Sequence, residues 1–161
     1  MIILGIDPGS RFCGYGIIEV HKRQIIAAGC DVIKISPKLK LSEKLVLIHS
    51  EITKIVLEYK PDLSAVESIF YGKNIKSAFT LGHVRGTILL ALAQNKLLIE
   101  EYSPREVKKA VVGNGNASKE QIKYMLEKIL KVDLNNKSED ATDALAVAIC
   151  AFNKIKYTLK I

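Results

Sequence analysis

Three acidic residues of this chain stand where acids are costly. Asp7 ends the apolar run Ile2-Ile3-Leu4-Gly5-Ile6, Glu67 ends Leu63-Ser64-Ala65-Val66, and Asp143 leads into Ala144-Leu145-Ala146-Val147-Ala148-Ile149-Cys150. Asp140 lies one helical turn before Asp143, a spacing that puts both on one helix face. Asp133 and Glu139, by contrast, read as ordinary exposed acids. Four carboxylates brought together resist ionising at once unless divalent cations compensate them. An all-oxygen donor set suits Mg²⁺ or Mn²⁺ better than zinc. Two such ions, about 3.5–4 Å apart, are the usual arrangement for in-line displacement at a phosphodiester. Each acid also has a plainer role alone: Asp7 opens a turn before Pro8-Gly9, and Asp140 and Asp143 suit a helix N-terminus. The set, rather than any member, points to a metal site.

The elements that must position these acids are legible in the hydrophobic pattern. Ile2 to Ile6, Gly14 to Val20 and Ile25 to Ile35 read as three strands joined by tight turns, an antiparallel meander. Leu41, Leu45, Ile48, Ile52, Ile55 and Tyr59 form one helical stripe, closed by Pro61. Leu63 to Glu67 is a fourth strand, Asn74 to Gln94 a helix, and Leu97 to Tyr102 a fifth strand. Ser103-Pro104-Arg105-Glu106 is a capping box whose helix ends at Gly113. Ser118 with Gln121 opens another helix, to about Lys131, and Ser138 starts the last, through about Asn153. The order predicts an α/β fold with a mixed sheet. If the first and fourth strands are parallel neighbours, Asp7 and Glu67 emerge at the same C-terminal sheet edge, where open α/β sheets bind ligands. A last helix packed there brings Asp140 and Asp143 to them.

Cations and aromatics flank the acids. No acid occurs between Glu67 and Glu100, a stretch that holds Lys73, Lys76, Arg85 and Lys96 with Phe70, Tyr71 and Phe79. Phe70-Tyr71-Gly72-Lys73 follows Glu67 as a loop; its aromatics either stack on bases or cover the sheet edge as core. Arg105, Lys108, Lys109 and Lys119 form a second basic group, and Lys119, at a helix start, is placed to hold a phosphate. The helix from Asn74 is apolar nearly all round after Ala78, with Gly82 and Gly86 permitting close approach. It forms either a homodimer seam or a helix buried within its own domain.

Composition is compatible with this picture without defining it. The chain has 161 residues, 48% apolar and 25% charged, one domain's worth with enough length for a core and no sign of disorder. Lys and Arg number 24 against 17 acids, a net charge of +7, which favours a polyanionic partner, nucleic acid or an acidic membrane surface. Cys13, Cys30 and Cys150 are scattered and read as core hydrophobes; His21, His49 and His83 are isolated and read as non-ligands. The N-terminus lacks a signal-peptide pattern and no apolar run is long enough to span a bilayer, so a cytoplasmic location without membrane contact is expected.

From Gly5 to about Cys150 the sequence resembles the RuvC family, bacterial Holliday junction endonucleases of the ribonuclease H-like superfamily. The motifs are Gly5-Ile6-Asp7-Pro8-Gly9-Ser10-Arg11 with Gly14-Tyr15-Gly16, Val66-Glu67-Ser68-Ile69-Phe70, Lys73-Asn74, and Leu81-Gly82-His83-Val84-Arg85-Gly86. Val107-Lys108, Val111-Val112-Gly113 and Asp140-Ala141-Thr142-Asp143-Ala144-Leu145-Ala146 follow in register. The opening Gly-x-Asp-x-Gly alone also occurs in sugar kinases and actin-like ATPases, but this chain is too short for their second lobe.

The resemblance implies a five-stranded ribonuclease H-like sheet, an antiparallel meander plus two parallel strands flanked by helices, over residues 1–154, with 155–161 as a tail. It implies a homodimer that nicks two like-polarity strands of a four-way junction symmetrically in recombination and repair. Asp7, Glu67, Asp140 and Asp143 fall on the family's metal-binding acids, although some members carry histidine at the position of Asp140. Mg²⁺, with Mn²⁺ substituting and two ions per site, is the implied cofactor. Phe70 matches an aromatic that stacks on junction bases, and Lys108 and Lys119 match lysines at the DNA. Tyr71, Lys73 and Arg85 join them as expected DNA contacts. The RuvA–RuvB branch-migration complex is the implied protein partner.

Overall fold

Strand alternation decides which way each catalytic-type side chain points. The computed structural model describes residues 1–22, 24–68 and 75–158. Along β1 (Ile2–Asp7), Ile3 joins one core layer, while Leu4 and Ile6 join the other. Period-two geometry therefore puts Gly5 and Asp7 on the face of Ile3. Along β4 (Leu63–Glu67), Leu63 and Ala65 share that face and Val66 takes the opposite one, so Glu67 follows Ala65.

β1 runs antiparallel to β2 (Phe12–His21), which runs antiparallel to β3 (Gln24–Lys34) with a bulge between Ile17 and Ile18. On its other side β1 is parallel to β4, and β4 to β5 (Leu98–Tyr102). The five strands lie in the order β3-β2-β1-β4-β5. The expected mixed sheet and the parallel β1–β4 pairing are both present. Strand β2 begins two residues before the expected Gly14, because Phe12 and Cys13 extend the ladder to Lys34 and Ile33.

Helices α1 (Leu41–Tyr59) and α2 (Ile75–Gln94) cover the Leu4 face through Ile48, Ile52, Val84, Ile88 and Leu92. Helix α5 (Glu139–Thr158) covers the Ile3 face, with α3 (Pro104–Val112) and α4 (Lys119–Leu130) packed around it. Both expected capping boxes form: Ser103 with Glu106, and Ser118 with Gln121. Helix α5 continues past the expected end near Asn153 to Thr158, since the intervening Lys154-Ile155-Lys156-Tyr157 contains no helix breaker.

Three glycines seat α5: Gly5, Gly14 and Gly16, the last against the Leu145 backbone nitrogen. A β-carbon on Gly5 would stand 2.1 Å from the Ala144 carbonyl oxygen, and one on Gly14 would stand 2.0 Å from that of Asp140. Gly14 is the cross-strand partner of Asp7, so the same contact that seats the helix sets Asp140 beside Asp7. Helix α2 is half-buried instead: Ile75, Phe79 and Leu90 are exposed, and with Leu45, Gly82 and Gly86 they line a hollow of about 690 Å³.

Four residues other than glycine have a left-handed backbone among those described, and all four are lysines: Lys22, Lys60, Lys96 and Lys131. Lys22 lies at the β2–β3 turn; Lys60, Lys96 and Lys131 follow α1, α2 and α4. Cys13 and Cys150 are buried, with thiols pushed up by burial to about 12 and about 11, in keeping with core roles. Among the described residues no helix is long and apolar enough to cross a membrane.

Candidate active site

Register brings the first two acids together. Ile6 is the parallel partner of Val66, so Asp7 and Glu67 end adjacent strands, on the same face. Their carboxyls are hydrogen-bonded, Asp7 donating and Glu67 accepting. Burial first, then the charges of Glu67 and Asp143, push the Asp7 carboxyl up to about 8. Burial also raises Glu67 and Asp143, with Lys119 opposing the shift at both. At neutral pH the Asp7–Glu67 pair thus retains a proton that two isolated carboxyls would have lost.

The last helix completes the group as the sequence predicts. Ser138 caps its start, its hydroxyl accepting from the Ala141 amide at 3.3 Å, and Thr142 donates to the Ser138 carbonyl at 3.0 Å. Asp140 and Asp143 then project from the first turns of α5, and their charges act on Asp7. The positive end of the helix dipole favours acids there.

Of the expected DNA contacts, the structure brings two to the acids. Lys108 on α3 and Lys119 at the start of α4 both draw Glu67 downward through their charge. Lys119 donates to Glu139 at 2.6 Å, which raises the ammonium, and stands 3.7 Å from Asp143. Arg85 lies elsewhere: it is ion-paired with Glu101 on β5, and its Nε is buried without a hydrogen-bond partner among the described residues. The acid-free stretch ends at Glu100, and the very next residue captures this arginine. Phe70, Tyr71 and Lys73 lie outside the described residues. The histidines stay apart from the acids: His21 contacts Glu19, His49 contacts Gln94, and His83 contacts the Phe79 carbonyl.

Sequence reasoning passed over Glu139. It is exposed as expected, yet it is the nearest partner of Lys119. A signal was available, because Glu139 and Asp143 are four residues apart on one helix and face the same side. With Lys119, Glu120, Lys123, Lys137 and Thr142 they line a hollow of about 230 Å³ next to the acid group.

Among the described residues no three acids already converge on one point as a finished metal cage. The donor chemistry nevertheless fits a hard dication: crowded carboxyl oxygens, partly desolvated and holding a proton against their ordinary tendency to ionise. A dication in place of that proton offsets the burial, and the added repulsion between neighbouring acids, that raise all three.

A ribonuclease H-like sheet with carboxylates at the ends of its first and fourth strands and on its last helix defines a class of nucleases. Residues 3–151 match the family model described as Crossover junction endodeoxyribonuclease RuvC. A protein of that name from Pelodictyon phaeoclathratiforme is 42% identical over 151 residues, covering 93% of this chain and 78% of the relative. One from Heliobacterium modesticaldum is 40% identical over 157 residues, covering 98% of this chain and 97% of the relative. The Thermus thermophilus RuvC solved in complex with Holliday junction substrate superposes with a TM-score of 0.92 at 27% identity, covering 98% and 96% of the two chains. The chain belongs to the RuvC family of crossover junction endodeoxyribonucleases. It is a phosphodiester-cleaving hydrolase, and a divalent-metal requirement goes with that membership.

Proposed function

We propose that this protein resolves four-way DNA junctions by symmetric paired nicks in two strands of like polarity, leaving 5′-phosphate and 3′-hydroxyl ends. The observation that carries the reading is the half-buried Asp7–Glu67 pair at the ends of two adjacent parallel strands, with the charges of Asp143, Lys108 and Lys119 acting on it. Asp7, Glu67, Asp140 and Asp143 are the residues that would hold Mg²⁺, or Mn²⁺ in its place, two ions per site. Cations bound there supply charge neutralisation and activation of water and stabilise the leaving oxygen.

The chain's own groups do the rest. The sheet edge carries Asp7 and Glu67, and α5 carries Asp140 and Asp143, so side-chain adjustment on fixed elements would close the four acids around a cation. Lys108 and Lys119 bind and orient the phosphate backbone beside the acids. Phe70, Tyr71 and Lys73, in the segment directly after Glu67, are placed by sequence to meet the junction bases. Arg85, held by Glu101, contacts DNA only if that ion pair opens.

The apolar groove on α2 supports a homodimer, whose two-fold symmetry matches paired cuts in a nearly two-fold substrate. The RuvA–RuvB complex is the proposed protein partner, the cytoplasm the proposed location. Residues 1–154 form the proposed nuclease domain, with 155–161 as a tail beginning on the last turns of α5.

The test is incubation of the pure protein with a synthetic mobile junction and with a linear duplex, each with Mg²⁺ or chelator. Paired, metal-dependent nicks confined to the junction are expected. Equal cutting of the duplex, or cutting in chelator, overturns the reading.

A further inference from the structure

Lys119 stands between two acids of unequal environment. Glu139 is largely exposed, with 76% of its side chain accessible, whereas Asp143 is 29% accessible and has Asp140 on the same helix face. Attraction between charges strengthens as water is excluded, so a free ammonium at this position would favour Asp143 over Glu139. The structure shows the reverse: the ammonium is 2.6 Å from Glu139 and 3.7 Å from Asp143. Glu139 and Asp143 are four residues apart on α5, so one lysine from α4 reaches either by a small rotation of its flexible stem.

We propose that Glu139 is a positioning residue that draws Lys119 toward the rim of the site, loosening its 3.7 Å ion pair with Asp143 in favour of the divalent cation. Without Glu139 the ammonium settles on Asp143 and competes with the cation for its carboxylate. With it, Lys119 stays beside the acids, available to a phosphate. The inference rests on Asp143 being a metal ligand, and it adds a residue outside the four acids and the basic contacts.

The test reads Mn²⁺ binding to the free protein at neutral pH and low salt, by the loss of the free-ion paramagnetic resonance signal, without DNA. Asp143→Asn checks the underlying assignment: it should weaken Mn²⁺ binding strongly, and unchanged binding removes Asp143 from the site. Given that loss, Glu139→Gln should weaken binding about two- to fivefold, the range that one exposed ion pair spans. In a Lys119→Met background the same substitution should change binding by less than its effect alone, because the competing ammonium is gone. Glu139→Asp should recover part of the affinity.

Two results overturn the proposal: no weakening in Glu139→Gln, or equal weakening with and without Lys119. The second makes Glu139 merely a nearby negative charge. Thermal melts of each variant separate these effects from loss of fold, which the exposure of Glu139 and Lys119 makes small.

Discussion

Helices α2 and α5 are each 20 residues long, both apolar, and they lie on opposite faces of the same sheet. Both are also associated with glycines, but the glycines do different things. Gly5, Gly14 and Gly16 lie in the sheet and meet α5 backbone at once. Gly82 and Gly86 lie in α2 itself, and a β-carbon on either would meet nothing within 4 Å. Helix α5 is therefore covered within this chain, sandwiched between the sheet and α3 and α4. Helix α2 buries Val84, Ile88, Ala91 and Leu92 and leaves Ile75, Phe79 and Leu90 in the open. Completeness of packing follows the proposed division of labour: the helix proposed to carry metal-binding carboxylates is enclosed, while the helix proposed for assembly is left unfinished.

Substitutions on the two sides should separate accordingly. The largest effect is expected from Gly14→Val, which forces side-chain atoms against the Asp140 carbonyl and displaces α5. A loss of more than about 3 kcal/mol, roughly 10 °C in melting temperature at this size, is expected with loss of cleavage. A normal melt would break the comparison at its stronger end.

Asp7→Asn, next in size, should lower cleavage by more than about 100-fold while junction binding, measured by gel shift, persists. Its effect on stability has the opposite sign. Asp7 titrates near 8 when folded against 3.8 in its ordinary state, so its neutral form favours the folded chain. That contribution is complete below about pH 4 and is lost as the pH rises through about 8. Metal-free wild type should thus melt progressively lower across this window, and Asp7→Asn should melt above it at pH 8. Parallel melting curves against pH would remove the shared proton.

On the α2 side, Phe79→Glu should turn a dimer into monomers in sedimentation, with far-UV circular dichroism intact and paired nicking reduced to single nicks. Collapse of the fold instead would make Phe79 core. Gly82→Ala is the smallest and sharpest test. It should stabilise α2 by up to about 1 kcal/mol in dilute protein, seen as a slightly higher melt. Self-association should weaken a few-fold if another helix approaches there.

The two sides were unequally legible in the sequence. Asp7 and Glu67 could be found because each ends an apolar run, and their common face follows from counting by twos along β1 and β4. Asp140 and Asp143 follow from helical spacing. The seat of α5 could not be read, because Gly5 and Gly14 gain meaning only once the antiparallel register places Gly14 opposite Asp7. The capture of Arg85 by Glu101 is a contact between α2 and β5 that no local pattern encodes. The role of Glu139 was hidden by its exposure, although its spacing from Asp143 carried the clue. For α2, the sequence showed too much apolar surface for one helix, and the structure located the uncovered part.

The four left-handed lysines carry a consequence for anyone seeking a hardier form of this protein. Glycine adopts that backbone freely, whereas a side chain there costs about 1 kcal/mol. Replacing Lys22, Lys60, Lys96 and Lys131 with glycine should relax each turn, yet it would cut the formal net charge from +7 to +3. Three of those charges also sit just beyond helix C-termini, where cations are favoured. A thermally tougher variant made this way would be slower to find a polyanion, with an association rate less sensitive to salt.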